Sequence, residues 1–456
     1  MPTPQGSQLF LVDRSRYEDD NRCPRLRYER YHSGPYGCGI DRKAKSVPLV
    51  TGGSVHAGLA HALLVVSETD QLPTPAVVDA AVKVALEDYN TLVDNRGLSY
   101  WEDSDEAMVR LIEEQRLLVE GLVRAWLLWQ LPSVLRDWQI LHVEEEHVAV
   151  VDCTCELGDR IGGQAEHDAR GCHGIGLMGR ADFVGRHRVS RVWSYHEFKT
   201  TSGTYGGWKD QWETTIQPQL GTVAIEASVM GIEIEQIFIH GLLKGKRDHE
   251  YDPATGAYTG PEYQNSRLVN AYFNTAAPEA QEWAVRAKWT DETGKQRKLP
   301  NSFKKYPVSA FGPYQEYLET FADDLKESVL YTLGPIPRKD NLRHAALEGW
   351  IAHERQNRAA LWEVADVLEA HNGNRQAPEV QKVLNGQFRR TYVCQPFGKN
   401  YGCPMIPLCH EHAGWENPEL MGYVDRYPHH KPELEQLRAR GLEPPRLAVE
   451  ATTGEE

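Results

Sequence analysis

The chain has 456 residues, 41% of them hydrophobic, with 12 Trp and 20 Tyr, enough for one large elaborated domain or two to three ordinary ones around a sizeable core. Its formal net charge of -15 argues against a generic nucleic-acid coat or a membrane-surface protein, but not against an enzyme with a local basic groove. No signal-peptide pattern opens the chain and no apolar run approaches the ~20 residues that span a bilayer, so a soluble, cytoplasmic protein is expected.

The first segment, NRCPRLRYERYHSGPYGCG from Asn21, is basic and aromatic. Arg22, Arg25, Arg27 and Arg30 interleave with Tyr28 and Tyr31, a composition suited to phosphate contact and base stacking. The competing reading of any such run is a solvated face. VTGGSVHAGLAHALLVV follows and reads as a Gly turn and then a helix from near Ser54, carrying His56. Thr74 to Gln130 is helical in pattern, with Met108, Leu111, Ile112, Leu118, Val119, Leu122 and Trp126 at core-facing spacing.

At WQILHVEEEHVAVVDCTC the alternation changes to that of strands. One of Glu144, Glu145 and Glu146 is a candidate metal or outer-shell ligand, with Glu144 and Glu146 sharing a face. An edge-strand charge run explains them as well. After a connection containing Gly and Asp come IGLMGRADFVGR and RVWSYHEFKT, read as an antiparallel pair. Period-two alternation puts Glu197 and Lys199 on one face and Phe198 on the other, and places Asp182 beside Glu197. Two acids and a lysine on adjacent strands suit a divalent cation that polarises a phosphate and activates water. An ordinary surface hairpin carries the same residues.

TIQPQLGTVAIEASVMG reads as a helix with Gln219, and IEQIFIHGLLKGK as a further strand. Lys244, Lys246, Arg247 and the basic run Lys295–Lys305 are candidates to line the same groove. Tyr251–Pro307 reads as an irregular insertion, Pro313–Leu330 and Leu342–His371 as helices, and the chain from Tyr427 as a flexible tail.

The eight cysteines are too few and too unevenly spaced for a disulfide scaffold, and clustered thiols point first to metal. Cys394, Cys403 and Cys409 with Cys23 make a four-thiolate set suited to a [4Fe-4S] cluster or to structural zinc, with Cys38 as the alternative fourth ligand. Unligated buried thiols are the plain alternative. Cys153, Cys155, His167 and Cys172 form a second candidate zinc site, though Cys-x-Cys is tighter than usual.

Six features in order resemble the RecB-type branch of the PD-(D/E)XK nuclease superfamily, which includes recombination nucleases, phage exonucleases and the iron–sulfur nuclease of CRISPR adaptation. They are Cys23-Pro24-Arg25, the Gly…His helix of His56, Asp182, Glu197-x-Lys199, Gln219 and the C-terminal cysteines. The resemblance spans roughly Asp13–His412 and is loose between motifs; Val223 stands where the family has Tyr. It implies an α/β fold, a restriction-endonuclease-like mixed sheet flanked by helices, with an N-terminal helical elaboration and a long insertion. It implies Mg²⁺ or Mn²⁺ held by His56, Asp182, Glu197 and the Phe198 carbonyl, with Lys199 acting on the attacking water and Gln219 positioning Lys199 or the phosphate. It also favours the [4Fe-4S] cluster over zinc.

The expected organisation is a basic segment with a cluster cysteine (1–50), a helical part (51–140) and a core sheet (141–250) with a candidate zinc insertion (152–174). An insertion (251–312), C-terminal helices with the cysteine cluster (313–426) and a tail (427–456) complete it. The expected activity is a metal-dependent deoxyribonuclease, an exonuclease acting on ends or single strands in recombination, repair or adaptation. A non-catalytic subunit of a larger DNA-processing complex and a restriction-type endonuclease are the competing readings. DNA is the expected partner, with a helicase or annealing protein as a candidate companion chain and no membrane.

Overall fold

The protein is seen in a computed structural model that describes residues 9–42, 47–94, 106–153, 162–163, 174–201, 205–214, 217–229, 231–244, 246–252, 257–264, 330–391, 394, 403–410 and 418–445. β1 (Phe10–Val12) leads into α1 (Arg14–Arg22) and α2 (Pro24–Tyr31). The Asp13 side chain caps α1 by accepting from the Arg16 N–H at 2.9 Å, and Pro24 starts α2 where a missing N–H costs nothing. β2 (Ile40–Arg42) precedes three long helices, α3 (Val47–Thr69), α4 (Pro75–Asp94) and α5 (Glu106–Ala125), then a π turn (Trp126–Gln130) and α6 (Leu131–Asp137).

Next come β3 (Trp138–Val143), β4 (Glu146–Asp152), β5 (Gly162–Gly163), β6 (Ile175–Arg180), β7 (Phe183–His187) and β8 (Trp193–Thr201). α7 (Tyr205–Thr214) and α8 (Gln217–Ser228) cross over to β9 (Ile234–Leu243), and β10 (Lys246–Asp252) pairs with β11 (Ala257–Gln264). β12 (Leu330–Pro337), α9 (Asp340–Ala370), α10 (Pro378–Gln387), α11 (Ile406–His410), β13 (Tyr423–Asp425) and α12 (Lys431–Ala439) complete the described chain.

The fold is mixed α/β. A four-stranded sheet has the order β1-β6-β4-β5 and a five-stranded one β12-β9-β8-β7-β3, beside the two-stranded pairs β10-β11 and β13-β2; β8 and β9 run parallel, as the helical crossover requires. α3, α4, α5 and the π turn bury Leu59, Leu63, Leu122 and Trp126 with Phe183 and Phe198 of the five-stranded sheet. Trp208 and Trp212 of α7 pack with Tyr195 and Ile237. α8 packs Leu220, Val223 and Ala224 with Val12, Ala149 and Leu177 of the four-stranded sheet.

Four expectations change. The helix carrying His56 begins at Val47, because Gly52 and Gly53 lie inside it. A Cβ on Gly52 would stand 2.8 Å from Thr200 Oγ1, so here glycine permits a close helix–strand approach and does not make a turn. Leu49–Thr69 is also long and apolar enough to cross a membrane, contrary to the reading of the sequence; half of its apolar window is buried, as in a core helix. IGLMGRADFVGR is two strands, broken at Ala181-Asp182 as the chain passes from one sheet to the other. The supposed tail forms α12, whose Glu433 pairs with Arg16 and Arg426. Residues 265–329 and 446–456, with most of the insertion and the Pro313–Leu330 helix, lie outside the described residues; Leu330 itself opens β12.

Candidate metal centre

β3 and β6 each end where the chain changes sheets. β3 pairs with β7 in one sheet (Val143↔Phe183) and β4 with β6 in the other (Glu146↔Arg180). The two links, Glu144-Glu145 and Ala181-Asp182, therefore lie side by side, joined by the Glu144 N–H donating to the Asp182 carbonyl at 3.2 Å. Glu144 has a positive φ of 52°, which carries it out of strand geometry. This corner brings its carboxylate to Asp182.

His56 on α3 closes the group. Its Nδ1 lies 3.0 Å from Asp182 Oδ1, while Asp182 Oδ2 accepts from the Phe198 N–H. Ligand atoms of His56, Glu144 and Asp182 all lie within 4.8 Å of one another. Burial pushes the Glu144 carboxyl up to about 8, and repulsion from Asp182 adds to it, despite Arg180 Nε at 2.8 Å. Burial also works against the Asp182 charge, but His56, Lys199 and the Phe198 amide outweigh it and hold this carboxyl well below the usual range.

Along β8, Tyr195, Glu197 and Lys199 share one face. Glu197 accepts from the Tyr195 hydroxyl through Oε2 and from Lys199 Nζ through Oε1. Lys199 Nζ also stands 5.3 Å from the centre of the Trp212 ring. Burial and the Glu197 charge push the Tyr195 phenol well above its ordinary value. Phe198 points to the other side, edge-on to Trp126 at 4.8 Å. Next to the corner is a cavity of about 710 Å³ lined by His56, Glu144, Arg180, Lys199 and Lys244, with a small-residue wall from Gly52, Gly53, Ala57 and Ala60.

The structure brings His56 to Asp182 and pairs Glu197 with Lys199, but the Glu197 carboxylate, expected as a metal ligand, accepts from Tyr195 and Lys199 and is not among the ligand atoms grouped with His56 and Asp182. It adds Glu144 to the ligand group, through a turn that strand alternation does not describe. It separates the three acids: Glu145 pairs with His142 at 2.8 Å, and Glu146 with His430 at 3.2 Å. Tyr195 was missed, although its spacing of two from Glu197 was the available signal. Gln219 is buried at the head of α8 with Oε1 unpartnered and is not among the cavity-lining residues. Val223, in the family's Tyr position, is a core residue beside Leu220 and Ala224.

The reading of Arg25, Arg27 and Tyr28 as nucleic-acid contacts is corrected. The Arg27 guanidinium is buried and bidentate to Glu354, at 2.8 and 2.6 Å. Arg25 is buried against the Phe388 carbonyl at 3.1 Å and Asn385 at 2.8 Å, and Tyr28 packs on Phe388. Their partners lie more than 300 positions away, so charge along the segment could not reveal them. Arg22 alone of this set is exposed, with Asp19 at 4.0 Å. Lys244 lines the cavity; burial lowers its pKa to about 8. Lys246 and Arg247 stand on β10, and the Lys295–Lys305 run is outside the described residues.

Cys23, Cys403 and Cys409 converge with Leu26, Ile40, Met405 and Tyr423, and the Cys403 N–H donates to the Cys394 carbonyl at 2.7 Å. Burial pushes the Cys409 thiol up to about 12, with Glu29 adding to it. Cys38 lies apart, its thiol 3.1 Å from the Arg426 carbonyl. Of the second zinc set only Cys153 is described, buried among Leu9, Leu11 and Met178; Cys155, His167 and Cys172 lie outside the described residues. No known family model and no curated protein matches the chain.

Proposed function

We propose that the chain is a metal-dependent phosphodiesterase and, more narrowly, a deoxyribonuclease of restriction-endonuclease-like fold acting on DNA ends or single strands. The observation that carries this reading is the corner itself. Residues 56, 144, 182, 197 and 199 come from a helix, two links between strands and one strand, and meet beside one cavity.

The donor set of one imidazole and two carboxylates fits a hard or borderline divalent cation such as Mg²⁺ or Mn²⁺. Such an ion, when bound, polarises the scissile phosphate and lowers the pKa of its water. His56, Glu144 and Asp182 would hold it, and the Phe198 amide fixes the orientation of Asp182. Lys199, kept on the cavity side by Glu197 and Trp212, is placed to offset charge that develops on the phosphate. Tyr195 anchors Glu197 from below. Lys244 and Arg180 supply the positive lining that Arg25 and Arg27 do not.

Cys23, Cys403 and Cys409 converge, with the Cys394 carbonyl bonded to the Cys403 N–H, and such a four-thiol set suits a [4Fe-4S] cluster, with structural zinc as the alternative. A brown, sulfide-containing preparation is the corresponding expectation.

Single-turnover digestion of end-labelled linear DNA with Mg²⁺ or Mn²⁺ tests the function. Wild-type protein should release labelled product and leave closed circular single strands intact. Lys199→Ala should retain metal and lose rate by about 10²-fold or more. An unchanged rate in Lys199→Ala would remove the proposed chemistry.

A further inference from the structure

A second group of ligand-type side chains lies away from the cavity, where the two ends of the described chain meet on the four-stranded sheet. Asp13, His429 and His430 offer three ligand atoms within 4.8 Å of one another. Asp13 is 4% exposed. Its Oδ1 is used in capping α1, whereas Oδ2 is buried and faces the His430 ring. That atom stands 3.3 Å from His430 Nε2. Two ligands at the usual ~2.0–2.1 Å from a tetrahedral ion are separated by about 3.3 Å as well.

The outer contacts have the same character. His430 Nδ1 lies 3.2 Å from Glu146 Oε1, and Glu146 is itself fixed by the Lys431 N–H. A carboxylate on the far nitrogen of a ligating imidazole sets its tautomer and aims the other nitrogen. His429, exposed, stacks obliquely on His430 at 4.2 Å and leaves the group open to solvent on one side. The nearby cations are partnered: Arg16 and Arg426 share Glu433, and Arg180 faces Glu144 and Glu146.

We propose that Asp13, His429 and His430 form a zinc site, with one coordination position left to water, that ties the C-terminal segment to the start of α1. Two imidazoles and one carboxylate select zinc or a similar transition ion over magnesium or calcium. The same contacts describe an imidazolium held between the carboxylates of Asp13 and Glu146, and the experiment separates the two.

Wild-type, His429→Ala and Asp13→Asn proteins are equilibrated with zinc, and bound zinc per chain is measured by elemental analysis alongside thermal unfolding with and without zinc. His429 is exposed, so its loss opens no core cavity, and Asn retains the oxygen that caps α1. The cysteine and cavity sites are common to all three proteins and cancel in the comparison. Both variants should hold one zinc fewer than wild type and lose part of the zinc-induced rise in unfolding midpoint. Equal zinc content in the three proteins would overturn the site and leave His430 as an imidazolium bridge.

Discussion

On β8, Glu197 and Lys199 sit beside the cavity and pair with each other; on α2, Arg25 and Arg27 lie in the interior and pair with groups from α9 and α10. Both stretches place charge beside a recognisable motif. They differ in where the partners come from. The β8 pair is local, set by alternation over two residues, so its geometry follows from the strand alone. Arg27 is satisfied by Glu354, and Arg25 by Asn385 and the Phe388 carbonyl with Glu29 at 3.5 Å, so the main partners come from the far end of the chain. The contrast teaches that a run of arginines marks a ligand surface only after the fold's own carboxylates have been accounted for.

The sharpest break of that comparison is at Arg27. Both it and Glu354 have fully buried side chains, so Arg27→Met leaves an uncompensated carboxylate. It should cost about 3–5 kcal/mol of stability, with the Arg27→Met/Glu354→Leu pair recovering most of it. Denaturant unfolding of the four proteins of this cycle measures both. A single variant as stable as wild type would return Arg27 to the surface.

A smaller effect sharpens the other side. If Lys244 contacts phosphate, Lys244→Ala should lower the slope of log affinity against log salt by about 0.7–0.9, one contact's worth. Because burial holds the Lys244 pKa at about 8, its charge is present below that pH and lost above it. Wild-type binding to a DNA oligonucleotide should therefore weaken as pH rises through about 8, and more steeply than that of Lys244→Ala, in which Glu144 of the same cavity still loses its proton over that range. Parallel curves for the two proteins would remove Lys244 from the interface.

Much of the frame was legible. Period-two and helical spacing located β3, β8, β9, α5 and α9, because each buries a regular face. Asp182, Glu197 and Lys199 followed from one hairpin. Glu144 was one of three candidate glutamates and could not be singled out, because its place depends on two strands changing sheets at the same level, and on a positive φ that three successive glutamates do not signal. α12 was read as a tail because Pro and charge dominate it; its Glu433 is held by Arg426 close by and by Arg16, which is remote in sequence. Gly52 and Gly53 read as a turn because the cause of Gly52, the proximity of Thr200, is tertiary.

The central claim is that the sheet-changing corner, with Glu144 in it, forms a divalent-cation site. Calorimetric titration of Mn²⁺ into wild type, Glu144→Gln and Glu145→Gln tests it most directly, since these neighbours differ only in which way the turn sends them. Glu144→Gln should weaken binding by at least about 10-fold, the scale that even outer partners of a ligand reach. Glu145→Gln, whose carboxylate is half exposed and paired with His142, should match wild type. Equal affinity in all three proteins would contradict the account.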